Sequence, residues 1–142
     1  MIRTLLTLAA GVGVGVAVTF AADHDYHKAV KVTQLSQRDI TEKIDGKKAK
    51  GTTVEVTLQP GESEAAHRHP GPAFGYVLEG EYEWAIDGNP VRMLKAGDTF
   101  YEPTGCLHRV SRNPAAKGNT RVLAVVLHPR DARQITIPEP KK

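Results

Sequence analysis

The sequence has 142 residues, with 19 lysines and arginines against 16 aspartates and glutamates, and a formal net charge of +3. That length accommodates one domain, and a small charge carried by scattered basic residues without aromatic interleaving argues against nucleic acid as a partner. A single cysteine, Cys106, rules out an intramolecular disulfide, so a hydrophobic core, a metal or a partner subunit must hold the fold.

At the N-terminus, Arg3 precedes an apolar run from Leu5 to Phe20 that Ala21 and Ala22 close. Thr19 and Ala21 suit the −3 and −1 positions of signal-peptidase cleavage, so residues 1–21 are expected to be a signal peptide cut after Ala21. The mature protein is then periplasmic or secreted, with no stable membrane insertion. A retained anchor is the alternative, but the run is about 16 residues where a membrane-spanning helix needs roughly 20. Gly11, Gly13 and Gly15 dilute it further.

The remaining chain reads as short strands divided by turn signals, with no helical period. It divides into an N-terminal arm and first strand over 22–50, a barrel over 51–130, and a last strand with a polar tail over 131–142. Ala29 to Leu35 alternates as a first strand. Thr52 to Leu58 is rich in β-branched residues and stops at Pro60-Gly61. Phe74 to Leu78 runs to Gly80, and Tyr82 to Ile86 ends at the turn pair Asp87-Gly88. Val91 to Leu94, Thr99 to Glu102, His108 to Ser111 and Arg121 to Leu127 follow, each stopped by glycine, proline or asparagine, and Gln134 to Ile137 is a candidate last strand. Lys43 to Gly51, with the lysine cluster beside Asp45-Gly46, and Pro114 to Asn119 are expected as loops. Short strands at intervals of about 8–12 residues indicate an all-β sandwich or barrel.

The chemistry-bearing stretch is His67-Arg68-His69. Side chains alternate faces along a strand, so both imidazoles project to one side with Arg68 on the other, and both can reach one ion. A third ligand must come from another strand, and His108 follows the turn Pro103-Thr104-Gly105, which could deliver it.

Gly61, five residues, His67-x-His69 and a closing Gly80 resemble the first motif of the cupin superfamily. Gly97, five residues, Pro103, Gly105 and His108 resemble the second. The resemblance covers roughly residues 52–128, with the short intermotif spacing of single-domain bacterial cupins. It implies a double-stranded β-helix, or jelly-roll barrel, of two packed antiparallel sheets. One divalent ion would sit inside, held by His67, His69 and His108. The sequence departs from the pattern at Ala73, where the first motif normally carries a metal-binding glutamate, and at Arg112, where the second motif's asparagine falls one residue before Asn113.

Three neutral imidazoles would leave the ion its full +2 charge and two or three positions open to water or a chelating substrate. Iron, zinc, manganese, nickel and copper all accept imidazole. Three-histidine cupins with iron act as dioxygenases on thiols or diketones, so the resemblance slightly favours iron. Glu64 or Glu102 could supply a replacement carboxylate, although each is expected to be solvated. An empty, degenerate site is the alternative reading of Ala73.

Cys106 borders the site and is expected to be a buried, inert side chain, although ligation or oxidation remain open to it. Among Tyr76, Tyr82, Trp84, Phe100 and Tyr101, most should be core or sheet surface and one or two should line the pocket. Arg68 and Arg109 should point outward. His24, His27 and His128 are expected to be exposed, the first two offering at most a second metal site. Two functional classes result: a metal-dependent enzyme on a small chelating substrate, most simply an iron dioxygenase, or a non-catalytic periplasmic metal or small-ligand binding module. Because cupins are often dimers, the Ala29–Leu35 strand could also pair with a second copy.

Overall fold

The computed structural model describes residues 30–140. The expected signal peptide lies outside them, as do His24 and His27. The described residues form ten strands and no helix. Five strands make each of two antiparallel sheets, and the two pack as the expected jelly roll.

The first sheet begins with a long hairpin, β1 (Lys31–Ile44) against β2 (Lys47–Leu58). Asp45 (φ 49°) and Gly46 (φ 74°) both occupy the left-handed region, which gives the two-residue turn whose twist matches the flanking strands. Lys43 to Gly51 is therefore not a loop but the tip of this hairpin, with Lys43 opposite Lys48 and Ile44 opposite Lys47. β9 (Thr120–Pro129), β4 (Ala73–Glu79) and β7 (Thr99–Glu102) complete the sheet in the order β1-β2-β9-β4-β7.

The second sheet has the order β10-β3-β8-β5-β6. Its members are β3 (His67–Arg68), β5 (Glu81–Ile86), β6 (Arg92–Lys95), β8 (His108–Arg112) and β10 (Ile137–Pro138). The last strand is shorter than Gln134 to Ile137 and pairs only with β3.

Alternation along β4, β5 and β7 sends one face of each sheet inward. Leu58, Val77, Tyr82, Trp84, Ile86, Leu94, Phe100 and Val122 form the shared core. Of the five aromatic residues considered above, Tyr82, Trp84 and Phe100 are buried, while Tyr76 and Tyr101 stand on the outer surface. Phe100 lies across from Gly75, and a Cβ on Gly75 would fall 1.9 Å from the ring's Cζ. The missing side chain is what lets the ring lie against the neighbouring strand.

Two buried polar residues pin the strands together. Asn113, fully buried, donates from Nδ2 to the carbonyls of Leu58 and Gly118 and accepts from the Ala115 amide. It ties the end of β2 to the loop between β8 and β9. His128, expected on the surface, is 2% exposed. Its Nδ1–H donates to the Pro129 carbonyl at 2.8 Å, so Nε2 accepts from the Thr52 hydroxyl at 2.9 Å. Thr52 stands next to it on the paired strand β2 and can satisfy the ring, so burial costs His128 no hydrogen bond.

Candidate metal centre

β3 and β8 meet at a single pair, His67 opposite His108, so strand pairing alone sets these two imidazoles side by side. His69 leaves β3 one turn of alternation later, on the same face. The Pro103-Thr104-Gly105 turn is closed by the Cys106 amide donating to the Pro103 carbonyl, and the Gly105 amide donates to the His69 carbonyl. The turn that delivers His108 is thus bonded to the backbone that carries His69. Ring centroids are 5.0 Å apart for His67–His69 and 4.9 Å for His67–His108. One nitrogen of each of the three rings lies within 4.8 Å of the others. His67 and His108 are buried and His69 is partly so.

Backbone carbonyls orient two of the rings. His67 Nδ1–H donates to the Ala65 carbonyl at 2.9 Å, and His69 Nδ1–H donates to the Ile135 carbonyl at 2.5 Å. With that proton on Nδ1, the Nε2 lone pair of each neutral ring is left for an ion, the arrangement typical of metal-binding histidines. The neutral forms of His69 and His108 are favoured. Burial lowers the pKa of His69, and burial together with His67 and His69 brings His108 down to about 3. The donor set therefore fits a divalent metal.

Glu102, expected in solvent, is 1% exposed. In β7, Phe100 and Glu102 face inward while Thr99 and Tyr101 face outward, so alternation carries this carboxylate into the barrel. Its Oε1 accepts from Trp84 Nε1–H at 3.1 Å and lies 3.1 Å from His108 Nδ1. Its Oε2 is 3.4 Å from His69 Nε2 and has no hydrogen-bond partner among the described residues. Burial pushes the carboxyl up to about 6.

A chain of hydrogen-bonded side chains adjoins the histidines. Tyr82 Oη–H donates to Ser111 Oγ at 2.8 Å, and Ser111 Oγ–H donates to Glu64 Oε2 at 2.6 Å. Burial and the Glu64 charge hold the Tyr82 phenol well above its usual pKa, so it stays protonated. Tyr82 Oη lies 3.4 Å from His108 Nε2. Glu64 is only half-buried, but it faces the site and not bulk solvent alone.

These groups line one end of a cavity of about 90 Å³, and valines and alanines of β2, β4 and β9 form its apolar wall. Phe100 divides the cavity from the core, and Ile135 and Thr136 close one side. Arg68 and Arg109 point away as expected, Arg68 to Glu139 and the Gly105 carbonyl, Arg109 to the carbonyls of Asp87 and Asn89. Cys106 is partly buried against the core, and burial raises its thiol to about 11. It is therefore a protonated thiol at neutral pH, not a nucleophile.

The comparisons with known proteins agree with this architecture. The cupin domain family matches residues 54–126, a span that includes all three histidines and Glu102. No curated protein matches the chain. Among solved structures, it is similar to an uncharacterized conserved protein with a double-stranded beta-helix domain from Klebsiella pneumoniae, with a TM-score of 0.61 and 21% identity over 80% of this chain and 87% of the other. It is also similar to the DMSP lyase DddQ from Ruegeria pomeroyi, with a TM-score of 0.58 and 22% identity over 83% of this chain and 57% of the other. An oxalate oxidase in complex with the substrate analogue glycolate gives a TM-score of 0.52 and 26% identity over 68% of this chain and 50% of the other.

Proposed function

This chain belongs to the cupin domain family, and we propose that it is an exported metal-dependent enzyme acting on a small chelating molecule. His67, His69 and His108 hold one divalent ion in this reading, with iron as the working metal and oxidation of a thiol or diketone by O₂ as the first reaction. The observation that carries it is the convergence of three imidazole nitrogens within 4.8 Å at the polar end of a cavity. A bound ion supplies Lewis acidity and open positions for substrate.

The chain's own residues support an enzyme over a passive binding module. Glu64, Ser111 and Tyr82 form a hydrogen-bonded chain ending 3.4 Å from His108. Glu64 can accept a proton through Ser111, and Tyr82 can orient a polar atom of the substrate. This feature also favours a second reading, elimination or isomerisation at a carbon made acidic by chelation. A DMSP lyase and an oxalate oxidase among the structural neighbours are consistent with either class.

Size and charge narrow the substrate. A cavity of about 90 Å³ suits a small molecule. Among the described residues no lysine or arginine lines it, while two carboxylates do. A neutral or singly charged chelating head on a short apolar body suits it better than a dianion.

Three measurements test the proposal. Elemental analysis of protein taken from its native periplasm gives the metal, and the mass of its N-terminal peptide checks cleavage after Ala21. Reconstitution with Fe(II) without oxygen, then O₂ uptake over thiols, diketones and catechols, tests the dioxygenase. Product analysis without O₂ tests the second reading. Stoichiometric metal with no turnover in either assay would leave a binding module. Retention of stoichiometric metal by a folded His108→Ala variant would show that the ligand set is wrong.

A further inference from the structure

We propose that Glu102 is a fourth ligand of the metal, a carboxylate supplied by β7; the proposal rests on the three-histidine reading above. A buried carboxylate oxygen of Glu102 faces a nitrogen of the partly buried His69. Among the described residues Glu102 Oε2 has no hydrogen-bond partner, and it lies 3.4 Å from His69 Nε2. The His69 proton sits on Nδ1, where the Ile135 carbonyl accepts it, so Nε2 presents a lone pair to a carboxylate oxygen. Two acceptors at that separation and shielded from water repel unless a proton or a metal cation joins them. Donors sharing one ion through bonds of about 2.0–2.2 Å stand roughly 3.0–3.5 Å apart, which is the spacing seen here.

The rest of the carboxylate is held so that Oε2 stays aimed. Oε1 is fixed by Trp84 Nε1–H at 3.1 Å and sits 3.1 Å from His108 Nδ1. The carboxylate thus approaches two of the three histidines from the β7 side. Ala73 pairs with Glu102 across β4 and β7, and both face the cavity. The small side chain at 73 leaves the space in front of it open. With Glu102 as ligand the centre carries one unit of charge less than three imidazoles alone would leave it.

Glutamine at 102 separates ligation from structure, because its amide oxygen can still accept from Trp84 while the amide nitrogen cannot bind a cation. Calorimetric titration with Mn(II), and the visible spectrum of the Co(II) form, are compared for the wild type, Glu102→Gln and the volume-conserving exchange Ala73→Glu/Glu102→Ala. Glu102→Gln is expected to weaken Mn(II) binding about 100-fold, the upper end of what loss of an outer-shell partner produces, and to change the Co(II) spectrum. The metal-free Glu102→Gln protein should melt no lower than the wild type, since a buried unpartnered charge has been removed. In the exchange variant a carboxylate from position 73, facing Glu102's place across the β4–β7 pair, should restore most of the affinity and return the Co(II) spectrum toward that of the wild type. An unchanged Co(II) spectrum with Mn(II) affinity within about 3-fold of wild type overturns the proposal, as does a folded exchange variant no tighter than Glu102→Gln. If that variant does not fold, the Glu102→Gln spectrum decides. Failure of the wild type to bind either ion brings down the three-histidine reading itself, a distinct result.

Discussion

A stop codon after Ala132 tests whether the C-terminal strap orients the metal site. The truncation keeps Arg130 and its bonds to the carbonyls of Ala49 and Ile40, which fasten the end of β9. It removes the Ile135 carbonyl, the acceptor for His69 Nδ1–H, together with β10 and one side of the cavity. The stability lost should be small. The Arg68–Glu139 pair has side chains 37% and 36% exposed and is worth about 0–1 kcal/mol. Ile137 is exposed, and half-buried Ile135 adds about 1 kcal/mol. The barrel should therefore still unfold cooperatively, within about 2 kcal/mol of the full chain. Metal binding should suffer more than stability suggests. Loss of the acceptor that fixes a ligand histidine costs about 10–100-fold in affinity, or about 1.4–2.8 kcal/mol. Competitive titration with Zn(II) reads the affinity, and urea unfolding with a chelator reads the stability. Arg68→Ala in the full chain is the control, removing the ion pair but not the carbonyl. Equal Zn(II) affinity in the truncated and full chains would refute the reasoning and leave β3 alone responsible for aiming His69.

Acid should act on the chelator-treated protein in two stages. His108, held at about 3 against an ordinary 6.5, is protonated first in the unfolded chain, so its contribution is lost as pH falls below 6.5. Glu102, raised from 4.5 to about 6, has the opposite sign, and the cost of its buried charge is relieved by acid down to 4.5. Between pH 6.5 and 4.5 a loss of about 3 kcal/mol meets a gain of about 2, and below 4.5 only the loss continues, by about 2 more at pH 3. Urea midpoints falling as steeply from 6.5 to 4.5 as below 4.5 would contradict this. Gly75→Ala should cost about 1–3 kcal/mol by driving a methyl into the Phe100 ring, and Phe100→Leu in the same chain should recover part of it, giving non-additive urea midpoints. Asn113→Ala strands the buried Leu58 carbonyl among others and should cost about 2–4 kcal/mol by the same measurement.

Strand positions were legible wherever glycine, proline or asparagine closed an alternating apolar run. Thr99 to Glu102 has the expected bounds, and most others shift by one or two residues. β1 beyond Leu35 was not legible. Ser36 to Lys43 is almost uniformly polar and nearly all exposed, so it is a strand through pairing with β2 and carries no burial pattern. His67, His69 and His108 could be read because alternation fixes the first two and a turn places the third. The Ile135 carbonyl could not, since a backbone acceptor 66 residues from His69 has no side-chain signature. Glu102 lay between these cases. Alternation with Phe100 already directs it inward, but carboxylates are so seldom buried that composition outweighed position.

That oversight follows from treating a motif as a place in the sequence, whereas a metal responds to a place in space. Cross-strand neighbours on one face have Cβ atoms about 4.5–5.5 Å apart, a separation a glutamate side chain can span. Position 73 on β4 and position 102 on β7 are such neighbours. A carboxylate can therefore move from one to the other, provided the position it leaves becomes small and the position it enters offers a donor to steady it. Both conditions are met, by Ala73 and by Trp84 Nε1–H. With Glu102 as ligand, the carboxylate that the first motif would place at residue 73 is supplied instead from residue 102, across the β4–β7 pair.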